Sequence, residues 1–186
     1  MKHFLFISLI LLATFSRAQT TPATPDSYKE YEETQTQKMA RYIGTAYPAF
    51  NGSINGVEFS NETFRGKTVF INFWFEACPP CIAEFEGLKA MYEKLKDRKD
   101  VFFIGVTFET PEIIKAIKEK YKITYNITCL PRTECYRLNF NNGFPTSIIL
   151  DAKGNIKYIH TGGSTNADVA TQFIMTEVYP KMLAGL

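Results

Sequence analysis

The residues most able to do chemistry in this chain are two cysteines separated by two prolines. Cys78 and Cys81 lie in the stretch "NFWFEACPPCIAEF", residues 72–85. Two intervening residues allow the sulfurs to bond to each other without movement of the backbone. Such a pair can be half of a zinc site, a structural disulfide or a dithiol that is reversibly oxidised.

The pair lies where a predicted strand passes into a predicted helix. The preceding stretch "TVFINFWF" is almost continuously apolar, which is typical of a strand buried on both faces. The apolar residues that follow recur every three or four positions, as on one side of a helix: Ile82, Phe85, Leu88, Tyr92 and Leu95. A helix N-terminus carries partial positive charge and unpaired N–H groups, so we expect Cys78 to favour the thiolate.

This placement predicts different roles for the two thiols. The Cys78 thiolate can attack a substrate disulfide, and Cys81, one helical turn further on, can then attack Cys78 and release the reduced substrate. Pro79 and Pro80 have no N–H group. Hydrogen-bond donors to the Cys78 sulfur must therefore come from Cys81 onward.

A second pair of cysteines, Cys129 and Cys135, has a different spacing. Five residues lie between them, which does not match the usual spacing of a zinc site, and we predict no metal site in the chain. We expect a structural disulfide, which would close a seven-residue loop and contribute roughly 2.4 kcal/mol to stability. A redox relay to Cys78 and Cys81 is an alternative, as are free or intermolecular thiols.

The N-terminus predicts export. Residues 1–18 contain an early lysine, the apolar run "FLFISLILLATF" and the small residues Ser16 and Ala18 before a cleavage site, which together are typical of a secretory signal peptide. The apolar run is shorter than the roughly twenty residues that span a membrane. Disulfides form and persist outside the cytoplasm, so export favours sulfur redox chemistry for all four cysteines.

Composition and charge narrow the remaining possibilities. The chain has 21 basic and 19 acidic side chains, and removal of the signal peptide takes away Lys2 and Arg17, so that the two signs balance. Nothing here favours binding of nucleic acid. Residues 19–42 are polar and are predicted to form a flexible tether leading into a surface helix. Residues 43–186 are long enough for one domain with a single core.

The order of predicted elements indicates a mixed α/β fold. Asn55-Gly56 is a strong hairpin signal, because both central residues of such a turn need positive φ. "VFFIGV" predicts a second buried strand, "PRTECYRL" a short helix, and "TSIIL", "DAKGN" and "IKYIH" a β-hairpin. Thr110 and Pro111 are typical of the start of a helix. A final helix is predicted from about Ala167, with inward residues Val169, Phe173 and Val178. We expect a mixed central sheet with helices on both faces and an N-terminal β-hairpin.

The motifs in this order resemble those of the thioredoxin superfamily. The resemblance is carried by "INFWFEACPPCIAEF", by Gly143-Phe144-Pro145-Thr146 and by "SIILDAKGNI". The hairpin, the "FRGK" turn and the signal peptide are more closely similar to the TlpA/ResA-like exported thiol-disulfide oxidoreductases. The resemblance covers about residues 43–186.

The resemblance implies roles for several residues. Cys78 corresponds to the attacking cysteine, Cys81 to the resolving one, and Pro145 to a cis-proline that faces the pair. Trp74 and Phe144 are expected in the substrate-binding region beside this loop. The resemblance also implies protein disulfides as substrates, a membrane electron donor, no cofactor, a periplasmic location with secretion as the alternative, and cytochrome c maturation as a frequent task.

One departure from the family pattern concerns the proton acceptor for Cys81. In thioredoxin a buried acid lies on the strand before the cysteines, and Asn72 stands at that position here. An asparagine cannot accept a proton. The proton acceptor must then be water or another carboxylate, and we consider Glu109 and Glu76 as the possible carboxylates.

Three other functions compete with that of an exported dithiol-disulfide oxidoreductase. A copper-binding, metallochaperone-type protein could use the same thiols. A thiol peroxidase normally has Thr or Ser three residues before its reactive cysteine, where Phe75 stands here. A thioredoxin-like binding module without catalytic activity is disfavoured, because both cysteines and the proline of the loop are present.

Overall fold

The computed structural model describes residues 37–184. The predicted signal peptide and most of the predicted tether lie outside these residues. Residues 37–40 are helical, and Met39 is buried against the core. Within the described residues, no helix is both long enough and apolar enough to cross a bilayer.

The continuous apolar run after the "FRGK" turn forms the central strand of a five-stranded mixed sheet. In chain order the strands are β3 (Thr68–Phe73), β4 (Val101–Thr107), β5 (Asn126–Cys129), β6 (Thr146–Leu150) and β7 (Ile156–Thr161). Their spatial order is β5-β4-β3-β6-β7. β3 pairs in parallel with β4 and antiparallel with β6, and every residue of β3 is buried. The predicted mixed sheet is confirmed.

The predicted N-terminal hairpin is also present, as a separate two-stranded sheet. Its strands β1 (Gly52–Ile54) and β2 (Val57–Phe59) are antiparallel. Asn55 and Gly56 connect them with φ angles of 53° and 80°. This left-handed conformation explains why the turn has Asn and Gly at its centre.

Helices cover both faces of the five-stranded sheet, as predicted. In chain order they are α1 (Pro79–Leu95), α2 (Pro111–Tyr121), α3 (Arg132–Leu138), α4 (Ala167–Phe173) and α5 (Tyr179–Leu183), with a 3-10 turn at Asn61–Phe64 and a π turn at Ile174–Val178 between α4 and α5. The N-terminal hairpin and α3 cover one face, where Phe50, Phe59 and Leu138 are buried. α1, α2, α4 and α5 contribute to the core on the other face.

The packing of α1 against α4 requires a glycine on α1. A Cβ atom at Gly87 would lie 2.9 Å from the Thr171 Cα and 2.9 Å from the Ile174 Cβ. Both are closer than normal carbon–carbon contact. The small residue therefore lets the middle of α1 approach α4 and the π turn closely.

Three details differ from the sequence predictions. Val169, predicted to face inward on the final helix, is 53% exposed, and Ala170 and Ile174 are buried instead. On α1, Met91 is fully buried while Tyr92 is half-buried. The edge strand β5 was not predicted, because its four residues, NITC, contain a polar residue at every second position and only one large apolar side chain.

Candidate active site

Cys78 is the N-cap residue of α1, at the end of the loop that leaves β3. Pro79 and Pro80 occupy the first two helical positions, where a missing N–H group is tolerated and the fixed φ angle suits the helix. The Cys81 N–H donates to the Cys78 Sγ over 3.3 Å. The expected donor, the first N–H group after the prolines, is therefore the observed one.

Cys78 and Cys81 are joined by a disulfide, with their Cα atoms 5.3 Å apart. Both are covered: Cys78 is 3% exposed and Cys81 1%. Attack on a substrate disulfide requires an accessible Cys78 sulfur, and in this oxidised form Cys78 is covered. The neighbouring Ala77 and Pro79 are exposed, so the Cys78 sulfur lies just beneath the surface between them.

The predicted cis-proline is confirmed, since the Phe144–Pro145 peptide bond is cis. The Pro145 carbonyl accepts hydrogen bonds from the Gly162 N–H over 2.9 Å and from the Thr161 Oγ1 over 3.2 Å. These bonds fasten the loop to the end of β7. The cis-proline loop is therefore held by the end of the edge strand β7, the neighbour of β6.

Phe144 is the centre of a half-buried aromatic cluster beside this loop. It packs edge-on against Phe75 at 5.3 Å, Tyr136 at 5.4 Å and Phe108 at 5.6 Å between ring centroids. The Arg132 guanidinium lies over the Phe108 ring, 4.9 Å from its centroid. Phe75 immediately follows Trp74 in the loop to Cys78, so the cluster connects the cysteine loop to the cis-proline loop.

Trp74 does not have the position expected of a substrate-contacting residue. It is fully buried and packs edge-on against Phe85, with ring centroids 5.4 Å apart. The prediction that it contacts substrate is wrong, because no surface of the ring is left to a docked protein. Trp74 instead belongs to the buried cluster that contains Cys78 and Cys81.

A residue that the sequence analysis missed, Glu84, is buried one turn after Cys81. Its side chain lies on the inner face of α1 and the residue is only 2% exposed. Asn72 donates from its Nδ2 to the Glu84 Oε2 over 3.2 Å and to the Ser147 Oγ over 3.1 Å. Asn72, at the strand position of the acid in thioredoxin, therefore binds a carboxylate supplied by the helix.

Burial sets the protonation state of Glu84. It raises the pKa of the carboxyl group to about 8, against a smaller lowering effect of the hydrogen bond from Asn72. The buried Tyr125 and the half-buried Tyr158 lie close enough for the Glu84 charge to add to the effect of burial and raise their pKa values. A carboxyl group that changes charge near neutral pH thus lies behind the disulfide.

Neither acid proposed from the sequence has this position. Glu76 is exposed, and its backbone N–H donates to the Glu109 Oε1 over 2.8 Å. Glu109 is half-buried, and its carboxylate thus holds the loop before Cys78 in place. Glu76 and Glu109 therefore bind each other through this hydrogen bond. The buried acid on α1 is Glu84.

The expected disulfide between Cys129 and Cys135 is not formed, and both residues are free thiols. Cys129 is exposed at the end of β5, whereas Cys135 is buried on α3 with its sulfur 3.9 Å from the Leu130 carbonyl oxygen. Burial raises the pKa of the Cys135 thiol to about 12. A thiol with such a pKa is a poor nucleophile near neutral pH, which also argues against a redox relay through Cys135.

Metal-binding groups are not concentrated at either pair of cysteines. Within residues 37–184, no three side chains of His, Cys, Asp or Glu are grouped so that they could hold a metal ion. No described cluster therefore favours the copper-binding alternative.

A cavity of about 520 Å³ opens beside the active-site turn. Ala77, Pro79 and Ile82 line it on the side of α1, and Tyr121 and Ala167 line it on the sides of α2 and α4. Its walls are mainly apolar. The surface next to Cys78 can thus receive a side chain of a bound molecule.

Comparison with known proteins agrees with this site. Residues 43–159 match the model of the AhpC/TSA family. The chain is 30% identical over 145 residues to the thiol-disulfide oxidoreductase ResA of Geobacillus kaustophilus, covering 76% of this chain and 82% of the relative. It is 28% identical over 146 residues to the thiol:disulfide interchange protein DsbE of Haemophilus influenzae, covering 75% and 76%.

A solved structure gives the same result. The thioredoxin domain of a thiol-disulfide oxidoreductase from Bacteroides vulgatus superposes with a TM-score of 0.58 and 28% identity, covering 71% of this chain and 97% of that domain. The chain belongs to the AhpC/TSA family and has a thioredoxin-like fold. It is a thiol-disulfide oxidoreductase.

The state of the second pair of cysteines can be read from a thiol count. We expect two reactive thiols when the oxidised protein is unfolded without reductant, and four after reduction. In the native protein Cys129 should react with a thiol reagent while Cys135 stays protected, because only Cys129 is exposed. The variant Cys129→Ala is the control and should lose the native signal. A count of zero thiols in the unfolded, unreduced protein would contradict the free-thiol state.

The raised pKa of Glu84 predicts an unusual dependence of stability on pH. The folded protein keeps the proton up to about pH 8, whereas the unfolded chain loses it near pH 4.5. The free energy of unfolding should therefore fall as the pH rises through this window, by at most about 5 kcal/mol from this residue. Glu84→Gln should remove this fall, and the variant should be more stable than the wild type at pH 9.

Urea unfolding at pH 5, 7 and 9 measures this difference. Glu86→Gln is the matched control, since Glu86 is exposed on the same helix. Glu86 pairs with Lys89 over 2.7 Å, so Glu86→Gln should lose at most about 1 kcal/mol of stability but keep the wild-type fall of stability between pH 5 and pH 9. Parallel pH curves for the wild type and Glu84→Gln would show that Glu84 titrates normally in the folded protein.

Proposed function

We propose that this protein is an exported dithiol-disulfide oxidoreductase that reduces disulfides of other proteins through Cys78 and Cys81. The observation that carries the proposal is the joined pair at the N-terminus of α1, with Cys78 as the capping residue and a buried carboxyl group one turn behind Cys81. The helix N-terminus stabilises the Cys78 thiolate. Cys81 is then the thiol that resolves.

The proposed reaction moves two electrons to the substrate. The Cys78 thiolate attacks one sulfur of the substrate disulfide, that bond breaks, and the other substrate sulfur leaves as a thiolate and takes up a proton. Cys81 then loses its proton and attacks the Cys78 sulfur. The mixed disulfide breaks, the second substrate thiolate leaves, and the bond between Cys78 and Cys81 remains. A membrane electron donor is proposed to return two electrons to this disulfide.

Glu84 is proposed to accept the proton of Cys81. The two residues are three positions apart on the inner face of α1, so their side chains lie on the same side of the helix. A proton acceptor works best when its pKa lies near the working pH, and burial raises the pKa of Glu84 to about 8. Glu76 and Glu109 have a weaker claim, because one is exposed and the other binds a backbone N–H group.

The substrate is proposed to bind as an extended segment across the cis-proline loop. A segment of this kind pairs its backbone with that of the loop, as an added strand does. The Pro145 carbonyl already accepts two hydrogen bonds from within the protein, so the pairing would fall to the backbone of Phe144. The half-buried rings of Phe75 and Phe144 would contact apolar side chains of the segment. The cavity beside Pro79 would receive a substrate side chain that lies on the opposite side of the substrate cysteine from those that contact Phe75 and Phe144.

The export signal and the relatives support the proposed location. Residues 1–18 have the features of a signal peptide, residues 19–42 would form the tether, and residues 43–186 the thioredoxin-like domain. The relatives are named as thiol-disulfide oxidoreductases and interchange proteins. We place the protein in the bacterial periplasm, with secretion as the alternative, and propose disulfides of exported proteins, including cytochrome c precursors, as its substrates.

Trapping of a mixed disulfide tests the proposed mechanism. Cys81→Ala cannot resolve, so incubation of its reduced form with a disulfide-bearing protein should produce a covalent adduct through Cys78, seen as a reductant-sensitive band on a gel. Cys78→Ala should give no adduct. Cys129→Ala in the Cys81→Ala background should give the same yield as Cys81→Ala alone. Absence of the adduct, or its formation through Cys129, would refute the assigned roles.

Export can be checked by the mass of the mature protein. Expression of the full chain in a Gram-negative host should yield periplasmic protein that begins at Gln19, as measured by intact mass and N-terminal sequencing. A charged residue in the apolar run, such as Leu9→Arg, should retain the uncleaved chain in the cytoplasm. Recovery of uncleaved wild-type chain from the cytoplasm would argue against the predicted signal peptide.

A further inference from the structure

The two oxygens of the Glu84 carboxyl group have different surroundings. Oε2 accepts the hydrogen bond from Asn72. Oε1 points towards Gly163, in the loop between β7 and α4: a Cβ atom built at Gly163 would lie 3.1 Å from it. Gly163 itself is exposed to solvent. Oε1 therefore lies directly beneath a surface position that has no side chain.

Gly163 also lies between the other parts of the site. The same Cβ position is 3.3 Å from the Cγ of Pro145 and 3.7 Å from the Cβ of Pro80. The cis-proline loop, the active-site turn and the buried carboxyl group thus meet around this one residue. A side chain here would fill the space between them.

The need for glycine at this position is one of space and not of backbone conformation. Its neighbour Gly162 has a φ of 89° and open space around a built Cβ, so glycine is needed there for its conformation. Gly163 is not among the glycines with positive φ. An alanine could therefore adopt the backbone of Gly163, and its methyl group would cover Oε1.

From this geometry we infer that Gly163 is a positioning residue that keeps the Glu84 Oε1 in contact with water and thereby sets the pH range in which the cysteine pair is oxidised. The inference deepens the proposed function and rests on it. Each cycle requires Glu84 to take the proton of Cys81 and later to release it to solvent. Oε2 accepts the hydrogen bond from Asn72, so Oε1 is the oxygen left to exchange that proton with water beneath Gly163.

Other groups that face Glu84 do not offer the same route. Tyr125 precedes β5 and Tyr158 lies on β7, and burial raises the pKa of both phenols, so they stay neutral throughout the range of the experiment below. Cys78 and Cys81 lie on the same helix and change charge only in the reduced form. A further ionisable side chain, His160, stands opposite Ser147 in the pairing of β6 with β7. Because His160 is present in every variant, comparing Gly163→Ala with and without Glu84→Gln separates its effect from that of Oε1.

Oxidation of the reduced protein by bis(2-hydroxyethyl) disulfide tests the inference. The Cys78 thiolate attacks this neutral disulfide and releases one mercaptoethanol, and Cys81 passes its proton to Glu84, attacks Cys78 and releases the second. Trp74 is the only tryptophan of the chain and packs in the same cluster as the cysteines, so its fluorescence can follow the reaction. Rates are measured between pH 5 and pH 10.

We expect Gly163→Ala to move the rising limb of the rate profile to higher pH by about one unit, because the methyl group removes water from the charged carboxylate. On that limb, the shift is a tenfold loss of rate at a given pH. The same substitution in the Glu84→Gln background should change the rate less than twofold. Gly163→Ser should shift the profile less than Gly163→Ala, since its hydroxyl can replace a water molecule as a donor to Oε1. Thermal unfolding of each variant confirms that it is folded.

Two outcomes would overturn the inference. The first is an equal effect of Gly163→Ala in the wild-type and Glu84→Gln backgrounds, which would mean that Gly163 acts through Pro145. The second is a profile that does not move. Failure of the proposed function would give a different result. Cys81→Ala would then form no adduct with a protein disulfide, while the reaction with the small disulfide could still be measured.

Discussion

The position of one carboxyl group, buried behind a disulfide, constrains the rest of this site. An isolated charge costs several kcal/mol to bury, so the group stays protonated or must be given compensating contacts. Asn72 supplies one hydrogen bond, and the remaining oxygen lies beneath Gly163. The carboxyl group therefore changes charge near neutral pH, where proton transfer with a thiol is most useful.

Around this group the fold brings together elements that are far apart in sequence. The central strand ends at Phe73 and delivers the chain to the N-terminus of α1, where Cys78 caps the helix. β6 starts directly after Pro145, and β7 ends where Gly162 holds that proline. Because these strands are neighbours in the sheet, the cysteine turn, the cis-proline loop and the loop of Gly163 meet at one end of the strands.

Much of this could be predicted because the signals are local. The Asn55-Gly56 turn, the buried strand before the cysteines and the helix that starts after Cys78 each follow from a few adjacent residues. Glu84 was missed because a glutamate on a helix is normally exposed. Its position three residues after Cys81 and four before Leu88, on the apolar side of the helix, was the available signal.

Other errors have the same physical origin. The spacing of Cys129 and Cys135 permits a disulfide, but whether the sulfurs meet depends on the direction in which α3 leaves β5, which is a tertiary property. Trp74 follows a strand and was expected beside the loop, yet packing against Phe85 buries it. Likewise, the inner face of α4 is fixed by its contact with Gly87 on α1, and no pattern within the final helix reveals that contact.

The most direct test is a titration of the Glu84 carboxyl carbon by ¹³C NMR in the oxidised protein, with the signal assigned by its absence in Glu84→Gln. A midpoint near pH 8 is expected for a carboxyl group buried behind the disulfide. A midpoint near the ordinary value of 4.5 would show that Glu84 is charged and hydrated at neutral pH, and would contradict the account of a buried carboxyl group whose pKa is raised towards that of a thiol.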